Sequence, residues 1–168
     1  MQEIRKAGIE DTSLIQDLAF STWPDAYGNS LSTGQLNYML ELIYSKDALA
    51  NQIQYLHHQF IIVYDNNTAA GFASYSPKLK GDNTVYRLHK LYVLPNQQGK
   101  GTGKLLLNFI LNEIKQRGAK ILELNVNRNN KAFHFYTKIG FTISNEEDID
   151  IGGGYFMNDY VMEKVLGS

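Results

Sequence analysis

The glycine-rich run Gln98-Gly99-Lys100-Gly101-Thr102-Gly103-Lys104 constrains this chain more than any other stretch, because an extended segment ends just before it and an amphipathic helix begins inside it. Leu88–Leu94 is apolar-rich and closed by Pro95, which is how a strand that stops is written. Leu105, Leu106, Phe109, Ile110 and Ile114 then recur at helical spacing. Strand, glycine turn and helix present the free N–H groups of a helix N-terminus, and glycines without Cβ let an anion come close to them. The run reads as a phosphate cradle, with a helix start glycine-packed for tightness as the plainer alternative.

Two familiar phosphate motifs fail against these letters. A nucleotide-triphosphate loop needs glycine five positions before its Gly-Lys pair and Ser or Thr after it, whereas Gln98 precedes Gly103-Lys104 and Leu105 follows. A dinucleotide fingerprint fails because Lys104 or Leu106 stands where its third glycine belongs. What the run does match is Q-x-x-G-x-G, as Gln98-x-x-Gly101-x-Gly103.

Composition narrows the chemistry. A chain of 168 residues is long enough to bury a core as one domain, residues 1–168. With no cysteine, disulfides, thiolate metal sites and a cysteine nucleophile are excluded, and the four histidines lack metal-ligand spacing. No metal is expected. Charges at Glu3, Arg5 and Lys6 occupy the place of a signal-peptide core, and no run of apolar residues is long enough to span a bilayer. The expectation is a cytoplasmic protein without membrane contact. A net charge of -1 with no long basic run also argues against nucleic acid as partner.

In chain order, Met1–Gly8 reads as a strand. Asp11-Thr12-Ser13 offers a cap for a helix carrying Leu14, Ile15, Leu18 and Ala19 and ending near Trp23-Pro24. Thr22–Gly28, with Trp23 and Tyr27, reads as an irregular aromatic segment, either a substrate wall or a cap on the core. Helical spacing over Ser32–Tyr44 and Ser45–His58 gives two helices, with His57-His58 favoured at a helix end by the dipole. Phe60–Tyr64 and Ala69–Tyr75 flank Asp65-Asn66-Asn67-Thr68 as a hairpin. Lys78–Asn83 reads as a polar loop, Thr84–Leu94 as a long strand and Ile121–Val126 as another. Asn129 can cap a short helix running to Gly140. Phe141–Ser144 and Tyr155–Val165 read as final strands around an acidic cluster of Glu146, Glu147, Asp148 and Asp150, either a solvated loop or, if it faces the active site, an attractor of a cationic amine.

A second block joins the glycine run to one pattern: Asn129-x-x-Ala132-x-x-Phe135-Tyr136-x-Lys138-x-Gly140-Phe141. Together with Leu91-Tyr92-Val93-Leu94-Pro95, these stretches resemble the GCN5-related N-acetyltransferases, strongly over residues 84 to 142 and in outline elsewhere. The ending Asn158–Lys164 is similar to the PaiA-like polyamine acetyltransferase branch. The resemblance implies an α/β (α+β) fold, a mixed and mostly antiparallel seven-stranded sheet flanked by helices. It also implies acetyl-coenzyme A as cofactor and direct acetyl transfer to a primary amine of a small molecule through a ternary complex. Acetylation of a protein N-terminus or lysine, and a non-catalytic coenzyme A-binding module, remain as alternatives.

Acyl transfer to an amine needs a proton acceptor, donors for the oxyanion and an acid for the departing thiolate. By resemblance Tyr136 is the acid. Backbone N–H groups of Leu91, Tyr92 and Val93 serve the oxyanion and pantetheine, and Gly99, Lys100, Gly101, Thr102, Gly103 and Lys104 hold the pyrophosphate with Gln98 and Lys104 side chains. Asn129 binds the pantetheine arm or the loop. Where many members of the family carry a glutamate on the long strand, this chain has His89, read as a base titrating near neutrality or as a histidine bonded inside the sheet. Trp23, Tyr27 and Tyr155 are the expected substrate wall. A final strand exposing Tyr155, Phe156, Tyr160 and Val161 at a sheet edge would let a second copy pair with it as a homodimer.

Overall fold

The computed structural model describes residues 1–28 and 30–167; Asn29 and Ser168 lie outside them. Strands β1 (Gln2–Ala7), β2 (Gln59–Asp65), β3 (Thr68–Leu79), β4 (Asp82–Val93), β5 (Ile121–Asn127), β6 (Thr142–Gly152) and β7 (Tyr155–Val165) form one sheet in the order β1-β2-β3-β4-β5-β7-β6. Every pairing is antiparallel except β4 with β5. The expected mixed, mostly antiparallel seven-stranded sheet is therefore present. Helices α1 (Thr12–Tyr27), α2 (Thr33–Tyr44) and α3 (Lys46–Gln54) cover one face of β1–β4, while α4 (Thr102–Gln116) and α5 (Ala132–Ile139) lie on the other.

Two apolar clusters match those faces. Leu106, Leu107, Ile110 and Ile114 of α4 bury against Val63, Leu88, Leu122 and Leu124, and Ile15, Trp23, Tyr44 and Leu49 bury against Phe60, Ile62 and Phe72. Each fully buried Leu or Ile contributes about 1.5–3 kcal/mol. The β2–β3 hairpin turns on Asn66 and Asn67, whose φ of 50° and 68° give the paired positive values that a type I′ turn requires. Ser32 and Ser45 cap α2 and α3 by accepting from the Gln35 and Ala48 N–H groups.

Several expectations are corrected. Helix α1 does not end at Trp23-Pro24 but runs to Tyr27 with Pro24 inside it. An internal proline costs a helix about 3 kcal/mol, yet Trp23 and Tyr27, one turn apart, are both buried against Tyr92, and that packing holds the last turn. The Lys78–Asn83 loop is a tight turn at Lys80-Gly81 between β3 and β4, with Gly81 at φ 83°. The acidic run Glu146–Asp150 is not a loop either, because it alternates along the exposed edge strand β6. Helix α3 stops at Gln54, short of His57-His58. Strand β7 lies between β5 and β6 rather than at an edge, so dimer pairing through Tyr155–Val161 has no free edge to use. No helix among the described residues is long and apolar enough to cross a membrane.

Candidate active site

The site begins with a break in β4. Ser74 pairs with Lys90 and Tyr75 with Leu88, which leaves His89 as the extra residue of a bulge. Leu88 and Leu91 therefore both face α4, while Lys90 turns toward α2 and α3 and Tyr92 toward α1. The parallel pairing of β4 with β5 covers only Val85–Leu88 against Ile121–Leu124, whereas β5 continues against β7 to Asn127. Beyond Leu88 the two strands part, and a narrow cleft opens between them. It is lined by Tyr27, His89 and Leu91 on one side and Asn125, Asn130 and Tyr136 on the other.

The parting frees backbone groups. The Leu94 N–H bonds Ala70 on β3, so by the alternation of an antiparallel strand Leu91 and Val93 turn their N–H groups away from β3, into the cleft. The Tyr92 N–H alternates into the β3 ladder, and its side chain joins Tyr27 through a 2.7 Å hydroxyl contact. Tyr92 thus differs from the expectation that all three residues present amides to a cofactor.

Directly after β4, Pro95–Gln97 makes one short 3-10 turn and Gly101 starts α4 with φ 78° and no side-chain cap. Gly99 has φ 81°, and nothing lies within 4 Å of a Cβ built at either residue, so the cradle has the left-handed backbone and open approach that an anion needs. The Thr102 hydroxyl instead ties the loop inward, accepting from Gln2 Nε2 at 2.6 Å. Gly103 packs against Phe135 and Leu91, and Lys100 and Lys104 are exposed beside the cradle. The Gln98 side chain donates to Asp25 at 3.0 Å.

Tyr136 reaches the cleft from α5, its ring edge-on to Phe135 and Phe141. Burial, helped by Tyr27, pushes its phenol well above the ordinary tyrosine range, so it stays protonated at neutral pH. Tyr27 is likewise pushed up to about 12, chiefly by burial. Asn129 is exposed and does not cap α5: Asn130 Oδ1 accepts from the Ala132 N–H, while Asn129 donates its N–H to Asn127 and accepts from Ser30.

On the other side of the bulge, His89 shares a 2.7 Å contact with Ser76 and stacks on His58 with ring centroids 3.8 Å apart. Burial first, then His58, Lys90 and Arg87, lower its imidazole to about 2. An imidazole held neutral that far down is a very weak proton acceptor, which corrects the expectation of titration near neutrality. Lys90, lying between the Tyr44 and Phe60 rings and bonded to Gln52, is lowered to about 7 by burial. Of the expected substrate wall, Tyr27 lines the cleft. Trp23 lies behind it, bonded to Tyr44, and Tyr155 packs on Tyr38 at the β6–β7 turn.

Sequence reasoning passed over Asn125, Asn130 and Asp159. Asp159 had a signal: on β7 it occupies the same alternating face as Met157 and Val161, an acid in an apolar phase.

The fold and these letters have known counterparts. A family model described as "Acetyltransferase (GNAT) family" matches residues 21–141. The spermidine N(1)-acetyltransferase of Thermoplasma acidophilum is 31% identical over 96% of each chain. The ribosomal protein bS18-alanine N-acetyltransferase of Haemophilus influenzae is 38% identical over 55% of this chain and 57% of its own. Among solved structures, the PaiA N-acetyltransferase of Thermoplasma acidophilum in complex with coenzyme A superposes with a TM-score of 0.82 at 29% identity, covering 98% of this chain and 99% of that one.

Proposed function

The chain belongs to the acetyltransferase (GNAT) family, and on that footing we propose that it transfers the acetyl group of acetyl-coenzyme A to a primary amine of a small molecule by direct transfer in a ternary complex. The observation that carries this reading is a protonated, buried Tyr136 at the wall of the cleft where β4 and β5 part, one strand-end away from the glycine cradle. Acetyl-coenzyme A supplies the acetyl group as an activated thioester. Backbone N–H groups of Gly99 to Lys104 would hold its pyrophosphate, with Lys104 beside them. The free N–H groups of Leu91 and Val93 would take the pantetheine arm and the developing oxyanion. The acceptor amine sheds its ammonium proton to solvent water before it attacks the thioester carbon. As the C–S bond breaks, Tyr136 would give its hydroxyl proton to the leaving sulfur and be reprotonated by the proton that the new amide nitrogen loses. These groups come from β4, α4 and α5, so we read residues 1–168 as a single catalytic unit.

The relative named for spermidine acetylation spans nearly this whole chain, and a polyamine-like acceptor is our reading of the substrate class. Release of thiol from acetyl-coenzyme A, followed across polyamines, monoamines, amino acids and peptide N-termini, tests it. The expected result is stimulation by short cationic amines and little by peptides. Stimulation by peptides alone would move the acceptor to a protein terminus, and no stimulation by anything would return the chain to a coenzyme A-binding module.

A further inference from the structure

One buried carboxyl group beside the cleft has no counter-ion among the described residues. Asp159 is 5% exposed; among the described residues its buried Oδ1 has no hydrogen-bond partner and its Oδ2 receives one long bond, from Asn125 Nδ2 at 3.3 Å. Asn125 itself lines the cleft. A buried carboxylate without a counter-ion costs several kcal/mol, and nothing in the packing of β7 requires an acid there, since its face neighbours Met157 and Val161 are apolar.

Resting on the acetyl-transfer reading above, we propose that Asp159 seats the ammonium group of the acceptor, which makes that acceptor a cationic amine entering from the α1–α2 face. Asn127 on β5 and Glu147 on β6 lie directly opposite Asp159 in the sheet. Nearby cations are already engaged: Arg87 by Glu123 and Asn125, and Arg128 by Glu146 and Asp148. Carboxylates therefore outnumber cations on this patch, and its field draws positive charge inward. Burial, reinforced by Glu147, holds the Asp159 carboxyl above the usual carboxylate range against the pull of Asn125, Arg128 and Arg87. An arriving ammonium would supply the missing partner and restore the carboxylate. Tyr27 on α1, whose phenol feels the Asp159 charge, stays neutral and so adds no competing charge there. The larger groove at the far end of β4, about 610 Å³ and lined by Lys78, Lys80, Arg117 and three histidines, has the wrong charge for this role.

The test is Asp159→Asn in the full chain, a change that keeps an acceptor for Asn125. Calorimetry of putrescine into coenzyme A-saturated protein should show binding weakened at least about tenfold. The KM for putrescine should rise in step while that for acetyl-coenzyme A holds, and the thermal midpoint should stay level or rise because an unpaired buried charge has gone. Unchanged putrescine affinity, or a lost midpoint with affinity falling only in proportion, overturns the proposal. Glu147→Gln, on the exposed edge, should weaken putrescine binding in the same direction by about twofold to threefold; no change there with Asp159→Asn misfolded also overturns it. Absence of amine-stimulated thiol release from the wild type would sink the acetyl-transfer reading alone, because the calorimetric comparison still decides the seat.

Discussion

The two sides of the β4 bulge solve different problems with different materials. Toward α4, the side proposed for the cofactor is made of backbone: the N–H groups of Leu91 and Val93 turned from β3, the left-handed Gly99 and Gly101, and a helix start with no side-chain cap. Toward α1–α3, the side proposed for the acceptor is made of side chains whose charge is set by burial: Asp159 held up, His89 and Lys90 held down, and Tyr27 kept neutral. Backbone geometry serves a ligand that is the same for every member of a family, whereas buried side chains can be exchanged to suit a new acceptor. The comparison predicts that changes on one side leave the other side's constants nearly untouched.

The largest effect is expected at the junction. Tyr136→Phe should lower kcat by about 10²–10³-fold with coenzyme A affinity and thermal midpoint kept, since only the hydroxyl leaves a ring packed on Phe135 and Phe141. Normal turnover would place the acid elsewhere. Next comes Gly101→Val, a branched residue forced to φ 78° at a cost of about 1–2 kcal/mol. It should raise the KM for acetyl-coenzyme A about tenfold and leave that for the amine alone; an equal rise in both would erase the division between the sides. A smaller change is expected for His89→Ala, with kcat/KM within about threefold of wild type. The acid limb of its pH–rate profile should not move, because the imidazole is already neutral far below that range. A shifted limb would restore His89 as the proton acceptor.

The smallest effect is on stability. His58 is lowered to about 4 by burial and Lys90, and His89 to about 2, both below the ordinary histidine value near 6.5. The unfolded chain therefore binds more protons than the folded one as pH falls below 6.5. Stability is full above that value and declines toward pH 4, and denaturant midpoints of His58→Gln should fall less steeply across the window.

How much of this was legible follows the same division. The Gln98–Lys104 run and the Asn129–Phe141 block made the glycine turn before α4 and the short helix α5 legible, because a left-handed turn needs glycine at fixed offsets and those offsets survive in the letters. The β4 bulge was also present in them: apolar residues at 86 and 88 shift phase to 91 and 93, a break in alternation that marks the extra residue at His89. The acceptor side was not legible, since the charge state of His89 depends on His58 and Lys90 packing beside it from α3's end and from β4 itself. Asp159 was hidden for a related reason. Its isolation appears only once β5 and β6 flank β7.

The central claim is that the parted strands and Tyr136 form an amine acetylation site. Mass spectrometry of wild-type and Tyr136→Phe reactions containing acetyl-coenzyme A and an equimolar amine panel tests it most directly. The account predicts a gain of one acetyl group on short cationic amines with the wild type and almost none with the variant. Equal acetylation by both proteins, or none by either, would contradict it.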